Sequence, residues 1–312
     1  MNNKIREYRQ EMTEQVVKAL EQGTAPWQRP WSGECFPQNA VSRRYYSGAN
    51  VIVLSMKGLK LDGGADPRWL TYRQAAAKGW SIKKGEHGTR ISFWKNLAVT
   101  LKDEDDSPIL DGNGNPMMKT ILMEKLFTVF HASQVEGIPP YVPHTVNAIE
   151  ADEKAERIIA DSGAEIRYGG GRAFYRHSED FIQLPKTEFF EDTAGYYATL
   201  LHELVHWTGH ESRLHRTSGS VMGSPEYARE ELVAEMGSMF LSAETDIPQT
   251  PEHFANHAAY VESWIILLKS DPNALFKAAS EANRAAEFLL RKEREREKEA
   301  QGQEPDIEEG AA

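Results

Sequence analysis

Apolar positions along this chain recur with helical spacing in several long windows and with strand spacing in shorter ones. Ile5, Tyr8, Met12, Val16 and Leu20 lie three or four residues apart, and Gly23 follows them. That period aligns side chains on one face and glycine is a stop signal, so the pattern predicts a helix over 3–22. The apolar run 49–55 has no deciding period and reads equally as a short strand or a helix. Thr71 caps a predicted short helix that ends at Gly79. Segments 81–84 and 89–99 read as two strands joined by the turn Gly85-Glu86-His87-Gly88. The stretch 103–115 is acidic and full of Asp, Gly and Asn, which predicts a surface loop or hairpin tip. A strand over 126–131 follows.

Three prolines fall within 137–143 and mark the best domain boundary. Beyond it the pattern predicts an amphipathic helix over 148–162, strands over 164–168 and 173–176 around the glycines 169–171, and a strand over 181–184 closed by Pro185. Strong helices are predicted over 194–209 and 225–242, with two more over 253–269 and 272–299. Charge alternates along 291–299, as on a solvated helix end. Residues 301–312 are polar or small apart from Ile307 and are expected to be disordered. The fold class is therefore α+β in two domains. Residues 1–136 form the first, 137–147 a linker, 148–290 the second, and 291–312 a charged helix end and tail. No internal repeat is visible.

Charge sharpens this division. The chain has 312 residues, with 36 Lys+Arg against 47 Asp+Glu and a net of −11, which taken whole argues against nucleic acid. Residues 1–100, however, carry 16 Lys+Arg against 8 Asp+Glu, a net of +8. Residues 101–312 carry 20 against 39, a net of −19. Five of the seven tryptophans also lie in the first hundred residues. A basic, aromatic first domain followed by an acidic second one points to nucleic-acid contact by the first. The lone Cys35 excludes a disulfide framework or a cysteine-cluster metal site and fits a reducing cytosol. No apolar run approaches the ~20 residues of a membrane span. Lys4, Arg6, Glu7 and Arg9 sit within an amphipathic pattern, unlike a signal peptide. A cytoplasmic protein without a membrane partner is expected.

The sharpest chemical signal is His202-Glu203-Leu204-Val205-His206. On a helix, histidines four apart project from one face and can grip one metal ion, while the intervening glutamate reaches a metal-activated water as a base. Hydrolytic zinc takes three protein ligands and leaves one position open. Glu231 and Glu235 lie one turn apart on the next strong helix. Glu231 is the expected third ligand, with Glu235 hydrogen-bonding a ligand histidine. The reverse assignment, or Glu230 as ligand, stays open. His210 lies one turn past His206, but eight residues of helix span roughly 12 Å, too far for one ion. A third histidine three residues beyond Gly209 would stand at position 212, which is Ser212, so the metzincin spacing is absent.

Single-stranded nucleic acid is held by a positive groove with aromatic faces on which bases stack. The candidates are Arg43-Arg44-Tyr45-Tyr46, Lys83, Lys84 and Arg90, with Trp27, Trp31, Phe93 and Trp94. Basic and aromatic residues interleave near turns, as such a groove requires.

In the first domain, Leu20-Glu21-Gln22-Gly23-Thr24-Ala25-Pro26-Trp27, Pro30-Trp31, Trp69-Leu70-Thr71-Tyr72-Arg73-Gln74-Ala75 and Lys84-Gly85-Glu86-His87-Gly88-Thr89 resemble the ArdC-type antirestriction proteins of conjugative plasmids. The second domain continues the resemblance through Ala198-Thr199-Leu200-Leu201 into His202–His210, then Arg213-Leu214 and Glu230-Glu231-Leu232-Val233-Ala234-Glu235. The resemblance covers about residues 4–290. It implies a first domain that binds single-stranded DNA and a zincin-like metallopeptidase second domain, to which the pattern adds the extra C-terminal helices over 253–269 and 272–299. It further implies protection of incoming plasmid DNA from host restriction, with restriction-system proteins as candidate targets. It carries His202, Glu203 and His206 over as metal ligands and base, with Zn2+ or another divalent transition metal as cofactor. The related pattern Glu-x-x-Ala-Asp aligns with 231–235, where Glu235 replaces the Asp. The alternative reading is a DNA-coating protein whose metal site is structural or regulatory.

Overall fold

Helix α1 (Asn3–Glu21) buries its apolar stripe of Ile5, Tyr8, Met12, Val16 and Leu20, as its spacing requires. The computed structural model describes residues 3–27, 36–61, 66–143, 148–216, 223–247 and 260–300. The first half continues with β1 (Gln38–Asn39), α2 (Ala49–Gly58), β2 (Arg68–Thr71) and α3 (Tyr72–Ala77), then β3 (Ser81–Ile82), β4 (Thr89–Thr100), β5 (Met118–His131) and β6 (Val135–Glu136). The undecided run from Ala49 is thus helical. Its residues from Asn50 to Ser55 are all buried, which erases the one-sided period that would have identified it.

Strand order in the main sheet is β1-β2-β5-β4, with β1 parallel to β2 and the other pairs antiparallel. The structure corrects one expected pairing. β3 does not join β4 across the Gly85–Gly88 turn but pairs with β6, Ile82 against Val135. β4 instead pairs with β5 over its whole length, from Thr89 opposite Val129 to Thr100 opposite Met118. The acidic stretch 103–115 is the tip of this long hairpin. Gly88 permits the turn into β4, since a Cβ there would lie 2.4 Å from the Thr128 methyl and 3.0 Å from the Val129 carbonyl.

The second half opens with α4 (Ala148–Ser162). A three-stranded sheet follows, ordered β7 (Glu165–Tyr168), β9 (Phe181–Leu184), β8 (Phe174–Arg176). Helices α5 (Thr193–Thr208), α6 (Pro225–Thr245), α7 (Val261–Ser270) and α8 (Ala274–Ala300) complete it. Asp192 caps α5 through the Gly195 amide at 2.7 Å, and Ser224 caps α6 ahead of Pro225. The tail 301–312 lies outside the described residues. Among the described residues, no helix is long and apolar enough to cross a membrane.

One apolar cluster runs through both halves, from Tyr8 and Trp27 to Trp264 and Leu290. Trp27 and Trp264 meet edge to face at 5.5 Å, and both are fully buried. Thr13 donates to the Pro272 carbonyl at 2.8 Å and Arg9 to Asn273 at 2.9 Å. Helix α1 is therefore covered by α7 and α8, at the other end of the chain.

Candidate metal centre

Helix α5 carries His202, Glu203 and His206, all on its inward side. Their register follows from Leu200, Leu201, Leu204 and Val205, which are fully buried and fix the helix against the core. Helix α6 is buried from Glu230 to Ala243, so it threads the middle of the domain and its carboxylates Glu230, Glu231 and Glu235 are largely withdrawn from water. Gly237 sets how closely the two helices approach. A Cβ there would lie 2.8 Å from both Val205 methyls.

This packing brings His202 Nε2 to 3.2 Å from His206 Nε2, and Glu231 to 3.9 and 3.6 Å from those two nitrogens. Ligand atoms at ~2.1 Å from one tetrahedral ion stand about 3.4 Å apart, so the three donors have the spacing of a common ion. Imidazole and carboxylate donors suit a divalent transition metal. Charge supports the fit: the carboxylates of Glu203, Glu230, Glu231 and Glu235 are all buried here. Among the described residues, Arg216, the two imidazoles and the Tyr227 hydroxyl are groups that face them. Buried carboxylates need such compensation, and a divalent ion supplies it.

The second ring nitrogen of His206 is also engaged. His206 Nδ1 lies 3.2 Å from Glu230 Oε1. Both Glu230 oxygens are in turn held by Arg216 at 2.9 Å, and Arg216 also donates to the Val205 carbonyl at 2.7 Å and the Thr208 hydroxyl at 3.1 Å. Burial alone would raise Glu230, but the hydrogen bonds from His206 and Arg216 hold it below the usual carboxylate range. His202 Nδ1 faces Glu235 Oε1 at 3.8 Å. Burial pulls His206 down, yet Glu230, Glu231 and Glu203 outweigh it and push the ring up to about 9.

Two phenols border the site. The hydroxyls of Tyr227 and Tyr260 lie 3.1 Å apart. Burial and the charge of Glu231 raise Tyr227 well above the ordinary phenol range. Burial, Glu231, Glu203 and Glu235 raise Tyr260, despite its bond to Tyr227. Sequence reasoning missed both phenols and the Arg216–Glu230 clamp. The one local signal was Tyr227 at one helical turn before Glu231. His210 stands apart, bonded to Ser212 at 2.8 Å with its ring 5.0 Å from that of His177.

The candidate DNA contacts divide. Trp27 is buried against Trp264, and Tyr46 is buried and packs toward Phe93. Neither offers a face to a base. Trp31 lies outside the described residues. Arg43, Arg44 and Lys84 are exposed, as is Tyr45, whose ring rests edge-on against Phe36. Lys83 donates to the Ser133 carbonyl at 2.7 Å, and Arg90 pairs with Glu11 at 2.6 Å. Trp94 is 53% exposed.

Residues 6–130 match the family model for the N-terminal domain of anti-restriction factor ArdC, and residues 153–281 match that for a zincin-like metallopeptidase. The fold superposes on the crystal structure of metal-free antirestriction protein ArdC from plasmid R388 with a TM-score of 0.73. The two are 34% identical, and the match covers 95% of this chain and 99% of that one. The chain belongs to the ArdC family of antirestriction proteins. The Mn(II)-bound form of the same R388 protein gives a TM-score of 0.71 at 35% identity, covering 91% of this chain and 97% of that one. An uncharacterised protein of Sinorhizobium fredii, y4eC, is 36% identical over 283 residues, covering 89% of this chain and 90% of y4eC. Two Escherichia coli DNA primases named TraC are 43% and 42% identical over 91% and 89% of this chain. The chain spans 27% and 19% of their lengths. As an ArdC-family member it pairs an ArdC-type N-terminal domain with a zincin-like domain that offers a candidate site for a divalent metal.

Proposed function

We propose that this ArdC-family protein protects incoming plasmid DNA by two activities: binding of single-stranded DNA by its first half and metal-dependent peptide hydrolysis by its second. The observation that carries the hydrolytic reading is that ligand atoms of His202, His206 and Glu231 lie within 4.8 Å of one another, with the buried Glu203 beside them on α5. Zinc is the cofactor this donor set suits best, with another divalent transition metal as substitute.

His202, His206 and Glu231 would hold the ion, which when bound would supply the Lewis acidity that acidifies water and polarises a carbonyl. Glu203 is the general base, taking the proton of the water that attacks a peptide carbonyl and returning it to the leaving amine. Glu230 and Glu235 orient the two imidazoles from behind. Tyr227 and Tyr260 keep their protons at neutral pH and are the donors available to a bound peptide. Restriction-system proteins of the host are the proposed targets. On the DNA side, Arg43, Arg44, Tyr45, Lys84 and Trp94 are the exposed candidates.

Glu203→Gln tests the reading, because it keeps size and polarity but cannot take up a proton. In a restricting host, the variant should bind metal normally and lose protection. Unchanged protection would support instead a protein that shields DNA by coating it, with a structural or regulatory metal site.

A further inference from the structure

Of the fifteen large apolar side chains exposed among the described residues, eight lie on the β4–β5 hairpin or its tip, which marks this arm as a contact surface. Successive residues of a strand point to opposite faces, and the pairing register sorts the hairpin accordingly. On one face Lys125 lies opposite Phe93, Lys95 opposite Met123 and Lys119 opposite Val99. The three lysines are exposed, and none has a hydrogen bond or ion pair with another described residue. Phe127, 39% exposed, lies on the same face with its ring 5.8 Å from that of Phe93. The other face carries the exposed Met118, Leu122 and Trp94 but no lysine along the paired strands, so Trp94 lies off the lysine face. Its acidic residue, Glu124, is buried and paired with Arg9 at 2.6 Å.

We infer that this lysine face of the hairpin is the track for single-stranded nucleic acid. The inference rests on the reading of the first half as a single-strand binder and gives that reading a location. Cations alternate with apolar and aromatic side chains over three rung intervals of about 6.8 Å. Each lysine can meet a phosphate while a base lies on the apolar surface between, which is how sequence-tolerant single-strand binding works. A duplex hides its base faces and gains only the charge contacts. The acidic tip, Asp103 to Asp106 and Asp111, repels phosphates, so the strand crosses the stem of the hairpin and does not wrap its end.

The test uses the full chain and a fluorescent fifteen-residue oligothymidylate, titrated at several salt concentrations. The variant Lys95→Ala/Lys119→Ala/Lys125→Ala is compared with Lys18→Ala/Lys60→Ala/Lys78→Ala, which removes the same charge from elsewhere in the first half. The hairpin variant should lose affinity by about tenfold or more, and its slope of log K against log salt should shrink by about 2, at ~0.7 per phosphate contact. The control should stay near wild type. If wild type binds and the two variants behave alike, the track is elsewhere although the single-strand reading stands. If wild type fails to bind at low salt, that reading falls with it. Tighter binding of a duplex of equal length, lost in the hairpin variant, would overturn the single-strand assignment.

Discussion

His206 Nδ1 stands 3.2 Å from Glu230 Oε1, so the outer nitrogen of this imidazole is held and Nε2 is turned toward His202 and Glu231. Glu230 is fixed in turn by both ends of its carboxylate on Arg216. The clamp spans two helices and the loop after α5. It explains why a buried carboxylate with no proposed ligand role belongs in the site.

Arg216→Met removes the clamp and leaves Glu230 buried without its cation. Breaking such a pair costs about 3–5 kcal/mol, and loss of an orienting partner lowers metal affinity about 10–100-fold. Chemical denaturation and metal titration of the variant measure the two effects. Unchanged metal affinity would show that His206 needs no orienting carboxylate.

Gly237→Ala places a methyl against Val205, the residue before His206, in a contact already too short at 2.8 Å. Overpacking of this kind costs about 1–3 kcal/mol. Because the strain separates α5 from α6, the metal affinity of the alanine variant should fall together with its melting temperature. A variant that melts lower but binds metal as tightly would place the relief of strain away from Glu231.

Proton and metal compete at His206. In the metal-free chain the ring is raised to about 9, through its carboxylate neighbours and against burial. A raised folded-state value adds stability that is complete below the unfolded value of about 6.5 and is lost as pH rises through about 9. An ion requires the neutral ring, so apparent metal affinity should climb about tenfold per pH unit toward 9. The gap in melting temperature between metal-loaded and metal-free protein should therefore widen from pH 6.5 to 9. A gap that narrows over that range would contradict the assignment of His206.

The edge-to-face contact of Trp27 with Trp264 joins the two ends of the chain at 5.5 Å. Trp264→Ala should cost about 3–5 kcal/mol. Because one apolar cluster serves both halves, calorimetry of the wild type should record a single transition. Two well-separated transitions would show that α1 is held mainly by its own half.

What was legible in the sequence was what local spacing decides. The stripe of α1 and the His202–His206 pair follow from the helical period alone, and the Asp, Gly and Asn content of 103–115 announced the hairpin tip. Two-residue strands carry no register, so the pairing of Ser81–Ile82 with Val135–Glu136 could not be read. Glu230, Glu231 and Glu235 look alike along the chain. Which of them meets Nε2 and which meets Nδ1 depends on how α6 crosses α5. Arg216 reaches the site through a loop folded back under Val205 and Thr208, which no spacing rule registers. Trp27 and Tyr46 looked available to bases because their cover, Trp264 and Phe93, lies far along the chain.

The most direct test of the metal centre is elemental analysis of purified wild type beside His202→Ala, His206→Ala and Glu231→Ala, after each is saturated with zinc and desalted. A centre built from these three ligands requires one divalent ion per wild-type chain and a loss of at least about tenfold in affinity in every variant. Stoichiometric metal retained by all three, or by Glu231→Ala with undiminished affinity, would contradict a centre built from these residues.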